Sequence, residues 1–325
     1  MKNQTYYFLF SLGTITFSVC LNTNLQAKSF TSANPYEGKI NNWEIYTLWE
    51  KNKPKWDINE GNFTIFAPDT PDGKIFTRLI ERAISNNLSR AKMPTVIQEI
   101  AVSLLNTPYE AGLLDRTPKE ALVISLQKFD CLLFVETVLA IARTITNQNY
   151  SYDDFIDNVG QQRYFQGKMT DYCSRLHYFS HWILDNQQRD LVTNITADLG
   201  GVTISKKLDF MTRNRHKYSQ LIKNDDNYNC IARMEKNLEQ ISFNYIPTHK
   251  VKQIYTQLQP GDIIGIATRI EGLDFTHTGL VYQDERGNTG LIHASPAGRV
   301  VIAEDLQFYV QNVPQAIGIV VARPN

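Results

Sequence analysis

Residues 129–144 read FDCLLFVETVLAIART. Apart from Asp130, Glu136, Arg143 and two threonines the stretch is apolar on nearly every side, which predicts a helix buried all round. Asp130 stands where an N-cap belongs, and that puts Cys131 in the first turn. The start of a helix carries partial positive charge, which favours a thiolate there and lowers its pKa. A lone cysteine in an apolar helix is ordinarily only a small buried hydrophobe. A chemical reading of Cys131 therefore needs partners elsewhere in the chain.

Working outward, Ile75, Phe76, Leu79, Ile80 and Ile84 recur at helical spacing from near Gly73. A second helix is expected from Pro94 to Leu105, with proline in its first turn. Asn106-Thr107-Pro108-Tyr109 then breaks it, since the residue before a proline disfavours helix. Residues 28–72 are rich in Asn, Lys, Pro and Asp, punctuated by Pro54, Pro68 and Pro71, and read as an irregular arm. Residues 151–250 are mixed, mostly helical or irregular, with a break at Gly200-Gly201. From Pro260 the pattern changes to short runs rich in Ile, Val and Leu: Asp262–Thr268, His277–Tyr282, Gly290–Ala294, Val300–Ala303 and Ala316–Ala322. Turns such as Glu285-Arg286-Gly287-Asn288 separate several of them, as in antiparallel strands. Helices first and sheet second predict an α+β domain, with helices packed on an antiparallel sheet.

The chain has 325 residues, 42% hydrophobic and 20% charged, enough for one large domain or two small ones with a sizeable core. Lys+Arg and Asp+Glu both number 33, so the net charge is zero and no field favours nucleic acid. Lys2, an apolar stretch from Tyr6 to Leu21 and the small residue Ala27 have the order of a secretory signal peptide at 1–27. That stretch is too short and too polar for a comfortable transmembrane helix, so stable membrane insertion is not expected. Cys20 raises lipid anchoring, against which Val19 is a poor fit. The mature protein is read as exported, periplasmic or secreted. It would keep Cys131, Cys173 and Cys230, an odd count in an oxidising compartment. Cys173 and Cys230 could pair and leave Cys131 over; three reduced buried thiols are the alternative.

Two histidines supply the partners that Cys131 needs. His277 opens one expected strand, and His293 lies on the next. On a hairpin both can face one side, so that His277 serves as base and His293 fixes its tautomer. Taken singly, each histidine reads as a surface or satisfied core residue. His177 and His181 are four apart and could be a metal pair, but no third ligand falls at a telling distance and no HExxH occurs. Neither a metal nor any other cofactor is expected.

These segments together resemble the NlpC superfamily of papain-like cell-wall cysteine hydrolases, and within it the N-acetylmuramoyl-L-alanine amidase-like branch. The matching pieces are Thr107-Pro108-Tyr109-Glu110-Ala111-Gly112, Glu120 through Leu126, Phe129-Asp130-Cys131 with Phe134-Val135-Glu136, and Ser174-Arg175-Leu176-His177-Tyr178-Phe179 with Trp182. Phe210-Met211, Leu258-Gln259-Pro260-Gly261-Asp262, His277-Thr278-Gly279-Leu280-Val281 and His293-Ala294-Ser295 follow in the same order. The resemblance implies a papain-like domain over residues 73–325. It implies Cys131 as nucleophile, His277 as base, His293 as third member, and Tyr109 at the oxyanion region. Asp130 would cap the helix and touch substrate. Arg175, Tyr178 and Trp182 would wall the cleft, an arginine suiting a carboxylate and aromatics a sugar face; packing and salt bridging are the alternative for these three. Two departures bear on pocket specificity. Leu132-Leu133 replaces the small or hydroxylated residues usual after the cysteine, and His181 sits where an acidic residue is common. The implied substrate is peptidoglycan fragments or muropeptides, and the implied reaction is hydrolysis of the N-acetylmuramoyl–L-alanine amide through a thioester. Cleavage between D-glutamate and diaminopimelate, non-catalytic muropeptide binding and acyl transfer to an amine are the rival readings.

Overall fold

The computed structural model describes residues 65–117, 119–238 and 242–325. The expected leader at 1–27, with Cys20, and residues 28–64 of the expected arm lie outside the described residues.

The first helix, α1 (Pro71–Ser85), begins where Thr70 caps it, its hydroxyl accepting from the Gly73 N–H at 3.1 Å with proline at the first position. Phe76, Leu79, Ile80 and Ala83 are its buried stripe. Next come α2 (Met93–Ser103), α3 (Cys131–Thr146), α4 (Tyr152–Arg163) and α5 (Phe179–Gln188). The short β1 (Val192–Asn194) and β2 (Val202–Ser205) precede α6 (Phe210–Arg213), α7 (Ser219–Ile222) and α8 (Asp225–Leu238). The remainder is β3 (Ser242–Pro247), a 3-10 stretch at Thr248–Gln257, β4 (Ile263–Thr268), β5 (Phe275–Gln283), β6 (Thr289–Ser295), β7 (Arg299–Ala303), α9 (Leu306–Asn312) and β8 (Ala316–Pro324).

The strands form one sheet in the order β2-β3-β8-β4-β5-β6-β7, with β1 also paired to β8, and every pairing is antiparallel. Helices packed on an antiparallel sheet make this the expected α+β architecture. One face of the sheet presents Leu280, Ile292, Ala294, Val320 and Ala322 to the core that contains α3, which lies against β5 and β6. The other face presents Ile264, Ile266, Val281, Leu291, Ile319 and Val321. It is covered by Leu306 and Val310 of α9 and by Val251, Ile254 and Leu258.

Every residue of α3 from Cys131 to Ile145 is buried, as its composition requires. Its polar members are therefore matched inside the protein. Glu136 pairs with Arg163 of α4 at 2.7 Å and accepts from the Trp182 indole N–H at 3.1 Å. Arg143, near the C-terminal end, donates to the Leu191 carbonyl at 2.7 Å. Cys173 and Cys230 form a disulfide that ties the segment before α5 to α8.

Candidate active site

Asp130 caps α3 as its sequence predicts: the backbone is extended there and Oδ1 accepts from the Leu133 N–H at 2.8 Å. Cys131 is the first helical residue and wholly buried. The segment leading into the helix is held by main-chain bonds. Phe129 donates to the Pro108 carbonyl at 3.0 Å, and Glu110 donates to the Phe129 carbonyl at 2.9 Å. The 106–109 stretch is in turn stitched to the start of β7, where Val300 donates to Thr107 at 2.8 Å and Tyr109 donates to Gly298 at 2.8 Å. The start of α3 is thereby fixed to the edge of the sheet through two short extended segments.

Two buried polar atoms at this helix start have no hydrogen-bond partner among the described residues: Asp130 Oδ2 and the Tyr109 hydroxyl. Burial pushes the Asp130 carboxyl up to about 7; the Leu133 N–H opposes this and the Glu136 charge adds to it. Burial also raises the Tyr109 phenol, and the Asp130 charge contributes in the same direction. The Asp130 charge is thus felt at the Tyr109 phenol.

His277 and His293 are brought together. Nε2 of His277 lies 2.7 Å from Nδ1 of His293, and the ring centroids are 4.8 Å apart. The paired ladder between β5 and β6 runs from Leu280–Ile292 to Gln283–Thr289, so both histidines stand beyond its last rung. His277 is in register with Ile266 of β4, which faces the α9 side of the sheet. Both rings are buried, and burial holds both pKa values down. His277 lies well below the ordinary imidazole range, with the His293 charge adding to the effect, and His293 falls to about 4. The pair is therefore uncharged at neutral pH, the state in which an imidazole can accept a proton.

A third ring completes the cluster and was not foreseen. The Tyr309 ring of α9 lies against that of His293, tilted by 51° with 4.6 Å between centroids, and its hydroxyl is 3.5 Å from His293 Nδ1. The signal for it was local. Asp305 caps α9 by accepting from the Phe308 N–H at 2.7 Å, and Leu306 and Val310 mark the inward face of one more helix between two strands. Gly279 is also required here. A Cβ on it would sit 2.8 Å from the His293 Cβ and 2.9 Å from the Ile292 carbonyl oxygen.

Arg175, Tyr178 and Trp182 are each 4% exposed or less. Arg175 donates to the Leu114 carbonyl at 2.9 Å and pairs with Asp115 at 2.5 Å. The Tyr178 hydroxyl donates to Glu235 at 2.7 Å, and Trp182 is bonded to Glu136. These bonds are of the packing and salt-bridging kind left open beside a cleft wall, and the buried Arg175 Nε has no hydrogen-bond partner among the described residues. His177 places Nε2 2.6 Å from the Tyr172 carbonyl.

The sequence matches the family described as AmiA-like, N-acetylmuramoyl-L-alanine amidase-like, over residues 99–319, a span that includes Tyr109, Cys131, His277, His293 and Tyr309. Among solved structures the chain is similar to an N-acetylmuramoyl-L-alanine amidase from Bacteroides uniformis. The two share 28% identity with a TM-score of 0.68, covering 72% of this chain and 99% of that one. It is also similar to a proposed xylanase from Bacteroides fragilis, at 31% identity and a TM-score of 0.63, covering 69% and 99% of the two chains. A Legionella pneumophila protein shares the fold at 21% identity and a TM-score of 0.57, covering 77% and 94%. No curated protein matches the sequence. With more than half of its length inside the family span, the chain belongs to the N-acetylmuramoyl-L-alanine amidase-like family.

Proposed function

We propose that this chain is an exported cysteine amidase of the papain-like NlpC superfamily. It would hydrolyse the amide between the lactyl group of N-acetylmuramic acid and L-alanine in peptidoglycan fragments. The observation that carries this is the position of Cys131, first residue of a capped helix that packs on the two strands bearing the histidine pair, in a chain of the amidase-like family.

In this reading Cys131, a disulfide cysteine in this structure, acts once a thiol reductant has released its sulfur as the thiol. His277 removes the thiol proton as sulfur attacks the lactyl carbonyl carbon, and the carbonyl π electrons move onto oxygen. The positive end of α3 favours both the thiolate and the oxyanion. Tyr109 and the first-turn N–H of Cys131 are the donors assigned to that oxygen. Collapse of the intermediate breaks the C–N bond, and His277 returns its proton to the departing nitrogen of L-alanine. A water molecule, deprotonated by His277, then attacks the thioester; the C–S bond breaks and the proton returns to sulfur. His293 holds His277 in orientation throughout. The reaction requires the Cys131 sulfur to meet His277 past the end of the β5–β6 ladder, because α3 packs on one face of the sheet and the histidines stand on the other at its open end.

The test is the mass of the products released from muramyl tetrapeptide by the mature protein under mild reduction. Free tetrapeptide is expected, and Cys131→Ala is expected to release none. A dipeptide product would replace the amidase reading with D-glutamyl–diaminopimelate cleavage. Equal binding by wild type and Cys131→Ala with no turnover would make the protein a binding module.

A further inference from the structure

We propose that the cavity between the end of α3 and one face of α4 binds a small zwitterion, a free α-amino acid such as alanine. Arg143 would take its carboxylate and Asp154 its ammonium group. The cavity holds about 220 Å³, with Arg143, Asn147 and Asn149 on the α3 side and Asp154, Asn158 and Gln161 on the other. Arg143 stands twelve residues on from Cys131, about 18 Å along the helix axis, so this site is separate from the one proposed above.

The cavity adjoins an unpaired charge. Arg143 is 9% exposed and carries five N–H donors. Among the described residues its side chain makes one hydrogen bond, from Nη2 to the Leu191 carbonyl at 2.7 Å, and the buried Nη1 has no partner. The other buried arginines each face a carboxylate: Arg163 pairs with Glu136 at 2.7 Å, and Arg175 with Asp115 at 2.5 Å. Arg143 forms no ion pair among the described residues, and the Arg189 charge, itself held by Asp185, repels it. Burial and that repulsion lower the guanidinium to about 10, so it is still charged at neutral pH. The negative end of α3 offsets part of this charge. A charge buried with so few partners is costly, and an anion in the adjoining cavity lowers that cost.

The opposite wall selects among anions. Asp154 is half-buried in the first turn of α4, and Asp157, a second acid on that wall, lies at the exposed rim. Phosphate or sulfate would set its remaining charge against these carboxylates, and a simple carboxylate would leave Asp154 unmatched. A neutral ligand would leave Arg143 as it is. An α-amino acid carries a carboxylate and an ammonium group on one carbon and so meets both walls. Asn158 donates Nδ2 to the Thr144 hydroxyl at 3.3 Å, which leaves its carbonyl oxygen to accept from the ligand. A volume of about 220 Å³ suits so small a molecule, since pockets for drug-sized ligands begin at about 300 Å³.

The test reads binding and needs no turnover, so it stands whether or not the amidase reading does. In the mature protein labelled with nitrogen-15, L-alanine is expected to shift the amides of residues 143–149 and 154–161 along one saturable curve. Those of His277 and His293 should not move. Acetate and ethylammonium each carry half of the zwitterion and should bind about tenfold more weakly, the factor of one charge-assisted hydrogen bond. Arg143→Gln should weaken alanine by a similar factor. Because a change at a buried position can unsettle the helix end, Asp154→Asn at a half-buried position is the second variant. It should weaken alanine by about tenfold and leave acetate no weaker. The proposal is overturned by the absence of a saturable shift at these amides, by acetate or inorganic phosphate binding as tightly as alanine, or by alanine binding that Asp154→Asn leaves unchanged.

Discussion

The Nε2 of His277 is 2.7 Å from the Nδ1 of His293, with the two ring planes nearly perpendicular at 87°. An imidazole, not a carboxylate, therefore lies against the candidate base. Both rings are buried and held below the ordinary imidazole value of about 6.5. The acid limb of kcat/KM is accordingly expected well below pH 6.5. Replacing the neutral orienter by a carboxylate, His293→Asp, should move that limb upward. A pH–rate profile of the two proteins on muramyl tetrapeptide checks both statements; an acid limb at the ordinary imidazole value in the wild type would contradict them.

Asp130 and the histidine pair act on stability with opposite signs as pH changes. The histidines are depressed in the folded state, so the unfolded chain binds more protons between about pH 4 and 6.5, and stability is lost as pH falls through that window. Asp130 is raised to about 7, so the folded chain binds the extra proton between the ordinary carboxylate value of about 4 and about 7. Its contribution is gained as pH falls and lost as pH rises. Asn keeps the cap but does not titrate. Asp130→Asn should therefore lose stability more steeply than wild type on going from pH 7 to pH 4.5, as read by urea unfolding at a series of pH values.

Gly279 lets β5 approach β6 beside the histidines. A methyl group there would meet backbone as well as side chain, at 2.9 Å from the Ile292 carbonyl oxygen and 2.8 Å from the His293 Cβ. The carbonyl cannot swing aside as a flexible side chain would. Gly279→Ala is expected to cost about 1–3 kcal/mol, as overpacking does, and to lower Tm by several degrees. Because the displaced atom belongs to His293, activity should fall by more than the loss of folded protein explains. Thermal unfolding and turnover measured on the same sample separate the two effects.

The residues that could be read in advance are those whose role is written locally. The cap at Asp130, the apolar sides of α3 and the Ile-, Val- and Leu-rich runs of β4 to β8 each need only a few neighbours in sequence, and the strands observed agree with those expected to within about two residues at most ends. The short strands β1, β2 and β3 were not legible. They are three to six residues long, and β2 is mostly exposed, so no alternation marks it. Arg175, Tyr178 and Trp182 show the other limit. A sequence gives an aromatic or an arginine but not the direction it faces. Tyr178 meets Glu235, 57 positions away, and Trp182 meets Glu136, 46 positions away. Partners so far away in sequence are what bury these side chains, and no local pattern announces them.

The disulfide between Cys173 and Cys230 closes a loop of 57 positions. A cross-link of that length removes enough freedom from the unfolded chain to stabilise the fold by about 2–4 kcal/mol. The double variant Cys173→Ala/Cys230→Ala should lose stability of that order, seen as a lower urea midpoint. The bond ties the segment before α5 to α8, distant in sequence from Cys131, so iodoacetamide labelling of Cys131 under mild reduction should be unchanged at a temperature where both proteins are folded.

The Glu136–Arg163 pair lies in the interior, 0% and 1% exposed, and links α3 to α4. Burial raises the Glu136 pKa while the Arg163 charge and hydrogen bonds from Arg163 and Trp182 oppose the rise. Taking two charges out of water is costly, and their attraction offsets that cost only while both are present. Glu136→Leu would leave the Arg163 guanidinium buried without its counter-charge and is expected to cost about 3–5 kcal/mol. Arg163→Met alone should cost a similar amount by stranding Glu136. The double variant should recover much of the loss, because neither charge then remains to be desolvated, although the Trp182 indole N–H loses its acceptor. A coupling energy near zero across the double-mutant cycle would mean that the two side chains do not depend on each other. Urea unfolding of the four proteins gives the coupling directly.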